Sequence, residues 1–478
     1  MRRHFLSLAS ALVATMVLCV QLAAGQTTAA ATATATSEPA FARPELSAIR
    51  FPDKHIKVDG RDGDWRHAGD ALAKCRFQVD SKKTYAAMDG CRGRFEGDKD
   101  LHITLHLAHD SDYLYLLADV KDQFLVNTTE DSSPNNGDDL EIFIDANPVE
   151  SQFGQANNEN VRQFMFVPAY ADARLTKPLV WPAGKSQGVL AASRLTLDGY
   201  VLELAVPKAL LPNWKTDPDL AQIGFDGLAG EADAPGVDIQ HPALKGALFF
   251  LTHERHFRNP RKLARLKLAT EDVKLLQMLP EEVVAKHAPI PTAEMAAQEL
   301  LDRIAAKDAA REAGELLKSS KKPIVRKAAL QVLAARPELD APVDAIATMV
   351  AQLAKDKGLD ARAAAQYGLM ALARRGKMPV DKLYDTCGTS ADPQIKLTYA
   401  WCCGINGDKA ATSKLIAMLK DDNFRVRMMA AWAMGVLKDP AAVEPLTKLA
   451  AQDANVDVKL QAQDSLEKLA PAATAPAK

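Results

Sequence analysis

The residues best suited to chemistry in this sequence form a short polar segment between two alternating runs. Their side chains are amides and carboxylates: Asn135, Asn136, Asp138, Asp139 and Glu141. Such groups bind sugar hydroxyls or a cation, because their oxygens accept hydrogen bonds or coordinate a metal ion. The segment precedes a predicted strand, and the loops of β-sandwich proteins commonly carry binding residues. It therefore predicts a binding site in the front half of the chain.

Aromatic side chains supply the second requirement of a sugar site, which is a flat apolar face for stacking. Trp181 and Trp214 lie outside the predicted core strands, whereas Trp65 follows a turn in a short helical step and is expected in the core. Arg255 is a further candidate to hold a hydroxyl. The predicted ligand-binding residues are Asn136, Asp138, Asp139, Trp181, Trp214 and Arg255.

The sequence contains no catalytic constellation that we recognise. There is no G-x-S-x-G elbow, phosphate-binding loop or credible triad. The segment His253-Glu254-Arg255-His256 lacks the spacing of a zinc-binding HExxH motif, whose histidines are one helical turn apart. The sequence therefore favours a non-catalytic protein.

Short alternating runs fill the first part of the chain and predict the strands that position these residues. Alternation with period two indicates half-buried strands, and many short strands separated by turns are typical of an antiparallel sandwich. We assign this sandwich to residues 49–270. The runs span residues 101–107, 113–120, 140–145, 161–167, 200–206, 247–251 and 263–268.

Helical spacing replaces this pattern after residue 270 and recurs as a repeat. An apolar residue followed by a basic one opens each Ala- and Leu-rich helix, at intervals of 31 to 36 residues. That interval is typical of stacked helix pairs in an α-solenoid, here residues 323–470. Residues 271–322 are predicted to be a helical connector, and residues 471–478 a disordered tail. The pairs are Val325-Arg326, Ala361-Arg362, Ile395-Lys396, Val426-Arg427 and Val458-Lys459.

The N-terminus has the pattern of an export signal. Arg2 and Arg3 precede an apolar run over residues 5–24, and small residues favour cleavage before Gln26. A retained membrane anchor is the alternative, but the Ala- and Thr-rich stretch within residues 26–48 is typical of a flexible mature N-terminus. We therefore expect a secreted, periplasmic or cell-surface protein without a stable membrane span after cleavage. The formal net charge of −2 argues against a nucleic-acid partner.

Cysteines are sparse beyond the predicted signal. Cys75 and Cys91 lie in one Gly- and Lys-rich insertion, and export makes a disulfide between them plausible. Cys387, Cys402 and Cys403 lie in apolar helical sequence and are expected to be core residues.

Several fragments in order resemble the family 9 carbohydrate-binding modules and their DOMON-like relatives. They are IKVDGRDGDWRHAGDA, DSDYLYLLADVKD, NNGDDLEIFIDANP, DGYVLELAVPKALL, IGFDGLAGEAD and RNPRKLARLKL, within about residues 50 to 270. The segment MLKDDNFRVRMMAAWAMGVLKDP resembles a HEAT repeat. The resemblance implies a glycan partner for residues 49–270 and a protein partner for the repeats.

The chain departs from the sugar-binding pattern of this family at one position. Members are expected to clamp a sugar chain between two tryptophans, one of them just before the Asp-rich strand, where this chain has Asn135-Asn136-Gly137. Two alternatives follow, namely a structural or assembly protein whose sandwich has lost sugar binding, and a haem-binding electron-transfer module. Met165 with His102 or His106 would ligate the haem, which is the least favoured cofactor. Calcium is a candidate ligand of the carboxylates.

Overall fold

The computed structural model describes most of the sandwich and nearly all of the repeat region. The described residues are 45–79, 85–87, 96–126, 137–146, 161–168, 179–181, 186–211, 214, 221–232, 246–250, 263–277 and 292–469. The predicted export signal and most of the predicted linker lie outside these residues. None of the helices in these ranges is long and apolar enough to cross a membrane.

The described part of the front half is built from strands joined in one hydrogen-bonded sheet. Its main path runs β8-β7-β6-β11-β13-β1-β4-β5-β10-β9, with β12 paired to β11 and β3, and β2 paired to β4. The pairs are antiparallel except at β1, which is parallel to both β13 and β4. The strands are β1 (Glu45–Arg50), β2 (Arg76–Gln78), β3 (Tyr85–Ala87), β4 (Leu101–His109), β5 (Tyr113–Asp122), β6 (Asp139–Asp145), β7 (Val161–Val167), β8 (Leu179–Trp181), β9 (Leu190–Thr196), β10 (Gly199–Pro207), β11 (Gln222–Glu231), β12 (Gly246–Phe249) and β13 (Ala264–Asp272).

Alternation along the strands builds one apolar core between the two halves of the sheet. Leu140, Ile142 and Ile144 of β6 belong to the same buried cluster as Ile103 and Leu105 of β4. Because successive side chains of a strand point to opposite faces, the intervening residues of β6 lie on the face turned away from this core. That second face carries the candidate site.

A second, smaller core covers the other side of β4, β5 and β10. Trp65 is fully buried there, with its ring edge-on to Phe51 at a centroid distance of 5.9 Å. It lies in the helix α1 (Gly63–Arg66), as expected for a core anchor. Its indole Nε1 donates to Oε1 of Glu203 at 2.8 Å, and Oε2 of Glu203 accepts from the backbone N of Asp59 and Gly60.

Helices stacked in sequence form the described residues 292–469. Side-chain caps start several of them: Thr292 accepts from the N of Met295, and Asn423 from the N of Arg425. The helices are α2 (Ala293–Asp302), α3 (Ala309–Ser319), α4 (Pro323–Ala335), α5 (Val343–Leu353), α6 (Leu359–Ala373), α7 (Val380–Leu383), α8 (Pro393–Asn406), α9 (Thr412–Met418), α10 (Phe424–Leu437), α11 (Val443–Gln452) and α12 (Val456–Leu469). The predicted fold class, a sheet-rich domain followed by a helical repeat region, is confirmed.

The two regions are packed together rather than joined only by a linker. Their buried apolar residues form one continuous cluster. Arg194 of β9 makes a bidentate pair with Asp302 of α2, with Nε–Oδ1 at 2.7 Å and Nη2–Oδ2 at 2.9 Å. Helices α2 and α3 lie within the predicted connector and pack against α4, so they extend the stack toward the sandwich.

Candidate functional site

Three of the six predicted ligand residues cannot be placed by their side chains. Asn136 and Arg255 lie outside the described residues. Trp181 ends β8, where its backbone is opposite Met165 of β7, but its side chain is outside the described part. Met165 is in turn opposite Glu141 of β6. The register therefore places Met165 on the same face of the sheet as Glu141.

Trp214 is a core residue and not the predicted stacking platform. Its side chain is only 6% exposed and belongs to the main apolar cluster. The ammonium of Lys208 lies 4.6 Å from the centroid of the Trp214 ring, which is a cation–π contact. A ring packed in this way has no free face for a sugar, so the structure corrects this prediction.

Asp138 holds the backbone at the start of β6 in place through hydrogen bonds. Its carboxylate is 1% exposed, and Oδ1 accepts from the N of Ala232 at 2.8 Å while Oδ2 accepts from the N of Val126 at 2.5 Å. The N of Asp138 also donates to the O of Val126 at 2.8 Å. These bonds satisfy buried backbone donors, which would otherwise cost about 1–3 kcal/mol each. Asp138 therefore fixes the backbone next to Asp139.

Asp139, Glu141 and Gln163 form a hydrogen-bonding array on the second face of β6 and β7. Asp139 is 1% exposed, and its Oδ1 accepts from the N of Gly230 at 3.0 Å. Its Oδ2 is buried and has no hydrogen-bond partner among the residues described. Gln163 donates from Nε2 to Oε2 of Glu141 at 2.8 Å. An unpaired buried oxygen beside an anchored carboxyl group and an amide is the arrangement expected of a polar ligand site.

Asp226 extends this array onto β11 and was not among the predicted site residues. Its backbone pairs with Phe143 of β6, which places its side chain on the same face as Glu141. The side chain is 4% exposed, and Oδ1 accepts from the N of Gly227 at 2.8 Å. A charged residue inside the otherwise apolar strand GFDGLAG was the sequence signal that could have identified it. We call Asp139, Glu141, Gln163 and Asp226 the polar face.

Burial raises the pKa of each carboxyl group of the polar face. Burial raises the pKa of Asp226 to about 7 and that of Glu141 to about 7, although the bond from Gln163 opposes the second shift. Burial, and then the charge of Glu141, raise the pKa of Asp139 well above its usual value. A protonated carboxyl both donates and accepts hydrogen bonds, so the polar face can match the mixed character of sugar hydroxyls.

Neither alternative ligand fits the described residues as well. No group of three or more His, Cys, Asp or Glu side chains that could hold a metal occurs among them, so calcium receives no support. His102 and His106 lie four residues apart on β4, about 13 Å along a strand. Met165 is on β7 in the other half of the sheet, with the main core between the two halves. The structure does not bring the proposed haem ligands together.

Cys75 is a buried free thiol that donates from Sγ to the O of Leu72 at 3.3 Å, and burial raises its pKa to about 11. A free Cys75 contradicts the predicted disulfide between Cys75 and Cys91, and Cys91 itself lies outside the described residues. Cys387, Cys402 and Cys403 are buried free thiols, in the core positions expected of them.

The raised pKa values predict that stability falls as pH rises. The pKa of Asp226 is about 3.9 in an unfolded chain and about 7 here, so between these values the folded state binds more protons. We expect Asp226→Asn to flatten the pH dependence of the free energy of unfolding by up to about 1.4 kcal/mol per pH unit between pH 5 and 7. Urea titrations at several pH values measure it, with exposed Glu271→Gln as the control. Parallel curves for wild type and Asp226→Asn would contradict the assignment.

Comparison with known families agrees with the resemblance seen in the sequence. Residues 80–269 match the model of the carbohydrate family 9 binding domain-like family, and residues 380–467 match that of HEAT repeats. The predicted recognition is confirmed by these two matches. A search of curated proteins finds no match.

Solved structures similar to the front half include family 9 carbohydrate-binding modules. One from Caldicellulosiruptor kristjanssonii in complex with glucose is 17% identical, with a TM-score of 0.34, over 48% of this chain and 97% of that chain. Another from the same organism, in complex with cellotriose, is 18% identical, with a TM-score of 0.32, over 49% of this chain and 100% of that chain. A lipovitellin structure is 10% identical, with a TM-score of 0.25, over 82% of this chain and 40% of that chain.

Proposed function

We propose that the family-9-like domain of this chain binds a glycan at the polar face, and that the protein is an exported, non-catalytic binding protein. The observation that carries the proposal is the buried Oδ2 of Asp139, which has no hydrogen-bond partner in the part of the chain that the structure describes and lies on the same face as the bonded pair of Glu141 and Gln163. A ligand hydroxyl placed there would satisfy that oxygen without exposing it to water. Trp181 at the end of β8 is the aromatic candidate for stacking on the sugar ring.

The electrostatics of the site favour a neutral sugar over an acidic one. Asp139, Glu141 and Asp226 are buried carboxyl groups that burial already keeps from ionising readily. A uronate or sulfate would add a negative charge to this environment, with no described basic side chain of the polar face to compensate it. We therefore expect selection for neutral oligosaccharides.

We further propose that the HEAT repeats bind a protein partner, and exposed side chains of the helical region support this. Exposed apolar side chains lie on the later helices α8 and α10 to α12, away from the contacts with the sandwich that α2 and α6 make. They are Ile405, Val436, Val443, Val456 and Leu460. The predicted export signal would place such a protein in the periplasm, outside the cell or at its surface, where polysaccharides are available.

Glu141→Ala is expected to weaken binding of a neutral oligosaccharide by roughly tenfold to a hundredfold. The substitution removes one hydrogen-bonding group and leaves Gln163 without its partner, a loss of about 1.5–3 kcal/mol. Isothermal titration calorimetry on the chain from Gln26 measures it, after a screen of neutral and acidic oligosaccharides identifies the best ligand.

Glu271→Ala is the matched control, because Glu271 is an exposed carboxylate on β13 of the same domain. Equal affinity of Glu141→Ala and wild type would reject the polar face as the site. A wild-type protein that binds none of the glycans would favour the assembly protein with a lost sugar site. A Soret band in the purified protein would instead favour the haem module.

A further inference from the structure

Helix α6 of the repeat region contacts the segment that follows β5 of the sandwich. Tyr367 of α6 is 2% exposed, and its hydroxyl accepts a hydrogen bond from the N of Leu125 at 2.9 Å. The ring of Tyr367 also packs on Phe124, with a centroid distance of 4.8 Å. Phe124 and Leu125 lie two and three residues beyond the end of β5 of the sandwich. A helix of the repeat region therefore holds a backbone group of the carbohydrate-binding-like domain.

The contact continues toward the site through neighbouring residues. Val126, next to Leu125, exchanges two hydrogen bonds with Asp138: its N donates to Oδ2, and its O accepts from the N of Asp138. The other carboxylate oxygen of Asp138 accepts from the N of Ala232 at the end of β11. Asp139 follows in the chain and is bonded to the N of Gly230. Each of these hydrogen bonds is buried, so water cannot replace a partner that is lost.

The attachment of this segment to the helical stack does not depend on Tyr367 alone. Arg362, five residues earlier on α6, forms ion pairs with Glu96 and with Asp100, and Asp100 immediately precedes β4. On the other edge of the sheet, Gln298 of α2 donates to the O of Leu195 at 2.8 Å. Loss of one hydroxyl should therefore leave the two regions docked. This permits a test of the hydroxyl alone.

We infer that Tyr367 is a positioning residue for the glycan site. The helical region then helps to form the glycan site in addition to binding a protein partner. The inference rests on the proposed function of the polar face. The Tyr367 hydroxyl fixes Leu125 and Val126, Val126 and Asp138 fix each other, and Asp138 sets the backbone that presents Asp139. A helical element can hold these groups more rigidly than a loop can.

Tyr367→Phe in the full chain is the test, because it removes the hydroxyl and keeps the ring that packs on Phe124. Leu125 then loses its buried acceptor, and the linked backbone groups relax. We expect about a three- to tenfold loss of affinity for the oligosaccharide found in the screen. We also expect faster hydrogen exchange at the amides of Leu125, Val126 and Ala232. If Tyr367 had a purely local role, hydrogen exchange at the amides of Val126 and Ala232 would not change.

Tyr399→Phe is the matched control. Tyr399 is fully buried, and its hydroxyl donates to the O of Val380 at 3.0 Å inside the helical region. It should leave the affinity and the exchange at Val126 and Ala232 as in wild type. Unchanged exchange at these two amides in Tyr367→Phe would overturn the inference, as would faster exchange with unchanged affinity. If wild type binds no glycan, the proposed function fails and the inferred role in binding fails with it, while the exchange data still decide whether the chain of contacts exists.

Discussion

Replacing Glu203 by leucine is expected to lower the free energy of unfolding by roughly 3–5 kcal/mol, because it leaves three hydrogen-bond donors, two of them buried, without an acceptor. Glu203 lies on β10 with no exposed surface, and its two oxygens accept from the N of Asp59, the N of Gly60 and Nε1 of Trp65, at 2.8, 2.9 and 2.8 Å. These bonds attach the segment before β2 to the sheet. Leucine fills a similar volume but accepts none of them.

Thermal and urea unfolding followed by tryptophan fluorescence would measure this effect. Glu203→Gln keeps one carbonyl acceptor and should lose a smaller part of the stability, whereas Glu271→Leu, at an exposed position on β13, should stay within about 0.5 kcal/mol of wild type. Burial raises the pKa of Glu203 to about 7, so its contribution is fully present below about pH 4.3 and declines as pH rises through 7. A Glu203→Leu protein as stable as wild type would show that these hydrogen bonds do not anchor the segment.

Replacing Arg362 by methionine is expected to cost roughly 3–5 kcal/mol, because a buried ion pair loses its cation while its anions stay behind. The Arg362 side chain is 7% exposed and lies between the two regions. It pairs with Glu96, with Asp100 at 3.7 Å and with Asp392 at 3.8 Å. The Asp100 side chain has no exposed surface, so water cannot replace the guanidinium there.

A double-mutant cycle tests this contact directly. Asp100→Asn in the Arg362→Met background should recover part of the loss, since it removes the uncompensated charge. Arg311→Met is the control, because Arg311 is 64% exposed and its pair with Glu315 on α3 is a surface pair worth about 0–1 kcal/mol. Additive effects of Arg362→Met and Asp100→Asn would contradict a direct interaction. Stability equal to wild type in Arg362→Met would contradict a buried anchor.

Much of the architecture could be predicted because local pattern decides it. The alternating run 161–167 is the strand Val161–Val167, and the run 113–120 is extended by two residues in Tyr113–Asp122. The apolar–basic pair Val426-Arg427 lies in the first turn of the helix Phe424–Leu437. Period two and period 3.6 reflect the geometry of one strand or one helix, so neighbouring residues suffice to identify them.

The candidate site was predicted only in part, because burial and pairing depend on residues distant in sequence. The segment around Asp138 and Asp139 was identified, but the sequence did not distinguish the bracing role of Asp138 from the unpaired oxygen of Asp139. Trp214 looked available for stacking, although Lys208 and the core cover it. Asp226 was missed because its place on the polar face depends on the pairing of β11 with β6, which lies more than eighty residues earlier in the chain.

The sequence by itself determined the succession of a strand-rich region and a helical repeat region, the family resemblance of both and the location of the polar segment before β6. Only the tertiary structure decided that the sandwich and the repeats share one core, that Glu203 holds Trp65, and that Tyr367 reaches Leu125. The physical reason is the range of the interactions. Periodicity and turn chemistry act over a few residues, whereas a buried hydrogen bond or ion pair requires two distant segments to meet with the right geometry.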